Sequence, residues 1–170
     1  MNKLDKLMER MIEFDGGDPK RIQHFIKVHS FAQQIGVGEG LDVHTQELLE
    51  AAAIVHDIGI HPAETKYGRC DGRLQEQEGP KPAKEILKEL DFPESDIERI
   101  CFLIAHHHTY ENVEGMDYRI LLEADFLVNL YEDALPESAI HAALQNIFRT
   151  ETGIRICKTM YGIQDEGAEK

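Results

Sequence analysis

The sequence feature that most constrains the fold is an apolar run that ends in a histidine and an aspartate. Five apolar residues at positions 51–55 lead directly into His56 and Asp57, and Gly59 follows. The run predicts a helix that is buried on most sides and that ends near the glycine. Two polar side chains at the end of such a helix are costly to bury unless a cation or hydrogen bonds satisfy them. This dipeptide alone is equally compatible with a metal site and with a capping aspartate beside a hydrogen-bonded core histidine.

A second apolar segment carries a carboxylate in its middle. Residues 120–130 form the run Ile-Leu-Leu-Glu-Ala-Asp-Phe-Leu-Val-Asn-Leu, in which Asp125 lies between Ala124 and Phe126. The run predicts another helix that is buried nearly all round. A buried carboxylate without a partner takes up a proton or destabilises the fold by several kcal/mol. A metal ion shared with His56 and Asp57 is the simplest partner.

A histidine on a third predicted helix completes a set of ligand-type residues. This helix is expected over residues 19–35, because Asp18 and a following proline form a typical helix start. His24 shares a face with apolar residues at steps of three and four, whereas His29 aligns in part with a polar glutamine. A lone histidine on such a face is more often a hydrogen-bonded core residue than a ligand. The joint presence of four ligand-type residues on three helices nevertheless favours a common metal ion, and these residues are His24, His56, Asp57 and Asp125.

Two further segments hold candidate site residues. Residues 60–73 form the longest irregular stretch, and two of its three cations, Lys66 and Arg73, are as compatible with substrate contacts as with a solvated loop. A helix expected from about residue 95 ends in His106, His107 and His108. Three consecutive histidines cannot all face one way, because adjacent helical positions diverge by roughly 100°. Some of these three side chains therefore lie outside any site.

The rest of the chain also predicts helices and turns. Apolar residues recur at helical spacing in residues 2–14, 82–90, 136–147 and 150–161, and a glycine-rich turn is expected at 36–40. No strand-like alternation is long enough to predict a sheet, so an all-α fold is expected. A chain of 170 residues can bury a single core, which predicts one domain at residues 1–163 and a polar tail at 164–170.

The charge and the cysteine content exclude several classes of function. A net charge of −14 repels polyanions, so general binding of polymeric nucleic acid is not expected. The three cysteines are far apart and form no C-x-x-C pair, which is typical of reduced thiols in the cytoplasm. No apolar run reaches the length of a membrane span, and the first residues lack the pattern of a secretion signal. The expected partner is a small molecule, and the oligomeric state is not predicted.

The order of these motifs resembles that of a known family. The sequence has R-x-x-H at Arg21–His24, A-A-x-x-H-D-I-G at Ala52–Gly59, a histidine cluster, and E-A-D at Glu123–Asp125. Over residues 20–131 this pattern resembles the HD-domain superfamily of metal-dependent phosphohydrolases. The resemblance implies an orthogonal bundle of about seven or eight helices, in line with the helical periodicity. It also implies one divalent ion (manganese, iron, cobalt, nickel, zinc or magnesium) held by His24, His56, Asp57 and Asp125.

The resemblance also implies a reaction and a division of roles. The reaction is hydrolysis of a phosphate ester or anhydride of a small molecule, with a nucleotide as the favoured substrate. Asp57 is expected to orient or deprotonate the attacking water. His106 or His107, together with Lys66 or Arg73, is expected to stabilise charge that develops on the phosphate.

A single metal ion is expected because of one departure from the family pattern. Members with two metals usually have a histidine a few residues before the glycine that opens the next helix, and here Gln75 stands four residues before Gly79. Two other functions remain open for an HD-type chain. One is a module that senses a nucleotide without turning it over, and the other is an oxygenase with two irons.

Overall fold

The computed structural model describes residues 1–164, and within that range every regular element is an α-helix. The helices are α1 (Lys3–Phe14), α2 (Pro19–Gly38), α3 (Val43–Val55), α4 (Ile60–Tyr67), α5 (Gly72–Glu78), α6 (Pro80–Glu89), α7 (Glu94–Ile104), α8 (Met116–Glu132), α9 (Glu137–Asn146) and α10 (Glu151–Tyr161). The predicted all-α fold is confirmed. The described residues contain ten helices rather than about seven or eight, because short helices occupy a segment that was expected to be irregular.

The centre of the molecule is built from α2, α3 and α8, which pack against one another. Helix α3 is buried continuously from Leu49 to Val55, and α8 is buried at most positions from Asp117 to Leu130. Both helices therefore have the all-round burial that their apolar sequences predicted. Helix α7 packs on the outer side of α3, and α1 also contacts α3. This arrangement brings the end of α3 close to the second turn of α2 and to the middle of α8.

Helix α2 continues beyond the end that the glycines suggested. It begins after Asp18, whose side chain accepts a hydrogen bond from the Arg21 backbone N–H, and it ends at Gly38 rather than at residue 35. The expected turn at 36–40 is therefore wrong for its first three residues. A Cβ on Gly36 would lie 2.1 Å from Gln46 Oε1 on α3, so this glycine permits close helix packing instead of a turn.

The expected loop at residues 60–73 is also wrong, because α4 and the start of α5 occupy most of it. Helix α4 buries Ile60 and Ala63, and it ends at Gly68, which has a positive φ of 68°. Each of these helices is only eight or seven residues long, so its apolar period repeats too few times to be recognised in the sequence. The positions of Lys66 and Arg73 therefore depend on how α4 and α5 pack.

Among the residues that the structure describes, no helix combines the length and the apolar character required to cross a bilayer. The polar tail predicted at 164–170 lies outside the described residues, except for Gln164. The single domain at 1–163 stays a prediction.

Candidate metal centre

The four residues predicted as metal ligands meet at one buried point between three helices. His24 lies on α2, Asp125 lies on α8, and His56 and Asp57 lie at the end of α3. The Nε2 atom of His24 is 3.2 Å from His56 Nε2, 3.2 Å from Asp57 Oδ2 and 3.2 Å from Asp125 Oδ1. His56 Nε2 lies 3.4 Å from Asp125 Oδ1 and 3.5 Å from Asp57 Oδ1. We call these four residues the His–Asp cluster.

The way in which α3 ends allows two adjacent residues to reach the same point. The helix stops at Val55, and His56 is its C-terminal cap, so Asp57 lies in the turn that follows. Adjacent side chains within a helix would diverge by roughly 100°. His56 is fully buried, whereas the Asp57 side chain is 15% exposed. Asp57 is therefore the member of the pair that reaches toward solvent.

His107 lies next to the cluster, where it is close to Asp57. Its Nε2 atom lies 3.4 Å from Asp57 Oδ1 and is buried, yet within the described part of the chain it has no hydrogen-bond partner. Its Nδ1 atom donates to the backbone carbonyl of Ile104, at 2.7 Å. When the imidazole is neutral, this bond leaves an acceptor lone pair on the buried Nε2 atom.

The same tautomer is imposed on the other two histidines. His56 Nδ1 donates to the Ala53 carbonyl at 2.7 Å, and His24 Nδ1 donates to Glu132 Oε2 at 2.9 Å. Each neutral ring then presents an acceptor Nε2 toward the cluster, which also contains two carboxylates. Asn129 donates to Asp125 Oδ1 at 2.9 Å, and this neutral amide leaves the carboxylate charge uncompensated. A set of converging nitrogen and oxygen acceptors fits a divalent cation.

The pKa values of the cluster residues show that positive charge at this point is favourable. Burial lowers the pKa of the His56 imidazole, but the Asp57 charge and a hydrogen bond to Asp125 outweigh burial and raise the pKa to about 9. Burial also raises the pKa of the Asp57 and Asp125 carboxyls, yet the neighbouring histidines hold both pKa values well below the usual range. Both carboxylates are therefore ionised, and in the absence of a metal ion protons on the imidazoles balance their charge.

The histidine triplet is divided among three different environments. His106 Nδ1 donates to the Phe102 carbonyl at 2.7 Å, and its ring packs against Phe102 with centroids 4.3 Å apart. The structure thus places His106 outside the cluster and His107 beside Asp57, a choice that the sequence left open. His108 Nε2 lies 2.8 Å from Gln75 Oε1, to which it donates because an amide oxygen only accepts.

A second group of potential ligands consists of Asp57, His107 and His108, whose donor atoms lie within 4.8 Å of one another. His108 Nε2 is committed to Gln75, whose own Nε2 donates to the Cys70 carbonyl at 2.7 Å. Burial, assisted by the His107 charge, lowers the pKa of His108 to about 4. His108 is therefore neutral at physiological pH, and its hydrogen bond to Gln75 holds it in the lining of the cavity.

A cavity of about 370 Å³ opens onto the cluster. Its lining residues include cluster members, cations, acids and an apolar wall, namely Lys20, Arg21, His24, Asp57, Ile60, Gln75, His108, Tyr110, Asp125, Phe126, Asn129, Leu130, Glu132, Asp133 and Leu135. A larger groove of about 600 Å³ lies where α1, α3 and α7 begin, far from the His–Asp cluster. Size alone therefore does not identify the site, whereas the convergence of ligand atoms does.

The structure does not bring Lys66 or Arg73 to this cavity. Lys66 forms an exposed ion pair with Glu78, at 3.1 Å, because α4 directs it toward α5, and Arg73 is exposed on α5. The cations that line the cavity are Lys20 and Arg21, in the first turn of α2. The sequence did not indicate that these two cations line the cavity. Arg21 nevertheless lies three residues before His24, which places both on one face of the helix.

Comparisons with known proteins agree with this architecture. The sequence matches the HD domain family over residues 21–147, a range that contains all members of the His–Asp cluster. The fold is similar to a crystal structure described as a predicted HD superfamily hydrolase from an uncultured Thermotogales bacterium, with a TM-score of 0.66 and 26% sequence identity. The similarity covers 93% of this chain and 84% of that one. Among curated proteins, none matches the sequence significantly.

Proposed function

Because this chain belongs to the HD-domain family, we propose that it is a metal-dependent phosphohydrolase that acts on a small phosphorylated molecule. The observation that carries the proposal is the convergence of His24, His56, Asp57 and Asp125 on one buried point, with the imidazoles presenting Nε2. We assign these four residues as ligands of one divalent ion. Their mixed nitrogen and oxygen donors suit manganese, iron, cobalt, nickel, zinc or magnesium.

The roles of the protein side chains follow from their positions. A divalent ion at this point supplies Lewis-acid chemistry, which makes water more acidic and polarises a phosphoryl oxygen. Asp57 lines the cavity and is ionised, so its carboxylate is placed to accept a hydrogen bond from the attacking water and orient it. His107 lies beside Asp57, with Nε2 3.4 Å from Oδ1, so its buried ring is placed to act on the phosphate together with Asp57, whereas His106 takes no part because it packs against Phe102.

The assignment of a single ion rests on the hydrogen bonds of Gln75. The second group, formed by Asp57, His107 and His108, would lose a ligand because His108 Nε2 donates to Gln75 Oε1. This arrangement disfavours an oxygenase with two irons. Metal analysis tests the point, since two irons per chain would contradict a single-ion hydrolase.

The lining of the cavity supports a nucleotide as the substrate. Lys20 and Arg21 provide positive charge for a phosphate on one side. Tyr110 and Phe126 lie with ring centroids 5.3 Å apart and, with neighbouring leucines, form an apolar wall for an aromatic base. A volume of about 370 Å³ suits a small molecule and not a polymeric nucleic acid. Acidic residues on the same lining, Glu132 and Asp133, favour a monophosphate over a more highly charged polyphosphate.

A metal-reconstitution assay tests the proposed function. Metal-free protein would be loaded with each divalent ion, and phosphate release would be measured with nucleoside mono-, di- and triphosphates. We expect turnover that requires the metal and that is abolished in Asp125→Ala, while circular dichroism shows an intact helical fold. Tight nucleotide binding without turnover for any metal would instead identify a nucleotide sensor.

A further inference from the structure

The Nδ1 atom of His24 has a different type of hydrogen-bond partner from the Nδ1 atoms of His56 and His107. His56 and His107 both donate from Nδ1 to a backbone carbonyl three residues earlier. His24 donates from Nδ1 to a carboxylate, Glu132 Oε2, which lies 108 residues away in the sequence at the end of α8. A carboxylate carries a negative charge that a carbonyl lacks, so its effect on the imidazole is stronger.

Glu132 is itself held in place by a cation. Its Oε1 atom lies 2.6 Å from Lys27 Nζ, and Lys27 is on α2, three residues after His24. The Glu132 side chain is 13% exposed, and its two oxygens are thus divided between Lys27 and His24.

Glu132 faces the side of the His24 ring that is opposite the cluster. Its oxygen contacts Nδ1, whereas the cluster surrounds Nε2, so Glu132 is not a ligand of the same ion. The bond fixes the tautomer that leaves Nε2 free to bind metal, and it makes that nitrogen more basic. It also ties α2 to α8, the helix that supplies Asp125 seven residues before Glu132.

We propose that Glu132, anchored by Lys27, is a positioning residue that raises the affinity of the His–Asp cluster for its divalent ion by orienting His24. This role rests on the proposed function, because it presumes that the cluster binds a metal. Outer-shell carboxylates of metal-binding histidines typically contribute about 10- to 100-fold in affinity. The expected loss in Glu132→Gln is of that size, because the amide retains a hydrogen-bond acceptor but not the charge.

The test is a titration of metal-free, full-length protein with Mn²⁺, in which affinity is read by competition with a chromophoric chelator. Variants to compare are Glu132→Gln, Glu132→Ala and Lys27→Met. Glu50→Gln is the matched control. Glu50 on α3 also bonds a histidine of α2, because His29 Nε2 lies 2.9 Å from Glu50 Oε2, but this pair lies outside the His–Asp cluster. Binding of Co²⁺ adds a second readout, because its visible spectrum reports the ligand geometry without any substrate.

We expect Glu132→Gln to weaken Mn²⁺ binding by about 10-fold or more and to alter the Co²⁺ spectrum, with a smaller loss in Lys27→Met. Glu50→Gln should lower thermal stability without changing the affinity for either ion. Equal affinity in wild type and Glu132→Gln, or an equal loss in Glu50→Gln, would overturn the role of Glu132. Failure of the wild type to bind any divalent ion would overturn the metal centre itself, and the proposed function with it. Lys27 is half-exposed, so Lys27→Met keeps the test decisive if the Glu132 variants fold poorly.

Discussion

At the scale of single residues, the hydrogen-bond partner of Nδ1 matters as much to each histidine of the site as the groups around Nε2. The Nδ1 atoms of His24, His56 and His107 are all engaged in hydrogen bonds of 2.7 to 2.9 Å. These bonds decide which nitrogen of each ring faces the cluster. A histidine at the correct spacing therefore becomes a metal ligand only when its second nitrogen has a suitable partner.

The two histidines of α2 provide a direct test of this principle. We expect His24→Ala to lower metal affinity by at least about 100-fold, more than the loss of an outer-shell partner would, because it removes a ligand. His29→Ala should retain the ion, since His29 pairs with Glu50 outside the cluster. It should instead lower the free energy of unfolding by about 1 kcal/mol, because the buried Glu50 carboxylate loses His29 but keeps its hydrogen bonds from Gln33 and Gln46. Metal content by mass spectrometry and urea denaturation distinguish the two effects, and equal metal loss in both variants would mean that the ligand assignment is wrong.

The buried carboxyl of Asp15 predicts a pH dependence of the free energy of unfolding. Burial is the main cause that raises the pKa of this carboxyl from 3.8 to about 6, although the His61 charge opposes it. The folded state therefore holds a proton that the unfolded state releases at lower pH, so this contribution to stability is present below about pH 4 and is lost as pH rises through about 6.

Asp15→Asn should remove this loss of stability at high pH, because an asparagine carries no charge at any of these pH values. We expect the variant to be more stable than the wild type by about 3 kcal/mol above pH 7, since one pKa unit corresponds to about 1.4 kcal/mol, with no difference near pH 4. Urea denaturation at several pH values measures the difference. A constant difference across this range would contradict the raised pKa of Asp15.

At the scale of helices, the turn after Asp57 depends on a close contact that only glycine allows. A Cβ on Gly59 would lie 2.4 Å from the Gln75 carbonyl oxygen and 2.8 Å from the Gly79 backbone nitrogen. The start of α4 thus packs directly on the junction between α5 and α6. This contact places Gln75 beside the cavity and determines where the chain leaves the His–Asp cluster.

We expect Gly59→Ala to destabilise the protein by about 2 kcal/mol or more, because the atoms it would contact are backbone atoms that cannot move aside. Gly36→Ala is the matched control, since the three atoms nearest to its Cβ all belong to the flexible side chain of Gln46 and not to the backbone. The free energy of unfolding of each variant gives the comparison. If Gly36→Ala lowered the free energy of unfolding as much as Gly59→Ala or more, the close backbone contact at Gly59 would not be the cause of its destabilisation.

At the scale of the whole molecule, the cluster joins the three helices that form the centre of the fold. Helices α2, α3 and α8 each contribute to one point, so an ion bound there links elements that are separated by up to about a hundred residues of chain. Unfolding separates these ligands. Metal binding is therefore expected to stabilise the native state as a unit.

Addition of Mn²⁺ at about 100 times its dissociation constant should raise the free energy of unfolding by about 2.7 kcal/mol, and a chelator should reverse the change. Asp125→Asn should show no such response, because it replaces one of the two charged ligands with a neutral amide. Thermal denaturation with and without metal measures the shift. Equal stabilisation of the variant would indicate that Mn²⁺ binds elsewhere on this acidic protein.

The sequence by itself determined the all-α class, the two helices buried on nearly all sides, and the family to which the chain belongs. It also identified the four residues that the structure brings together. These features are encoded locally, because helical periodicity and ligand-type residues can be recognised within a window of one or two helices. Short helices such as α4 and α5 lacked enough periods for the same reasoning.

Only the tertiary structure decided which neighbouring residues reach the site. It placed His107 and not His106 beside Asp57, brought Lys20 and Arg21 to the cavity in place of Lys66 and Arg73, and set Glu132 behind His24. Each of these outcomes depends on the rotation and packing of helices that are distant in the chain, as in the pairing of residues 24 and 132. A local sequence pattern describes one helix at a time, whereas a site formed where several helices meet depends on how they pack together.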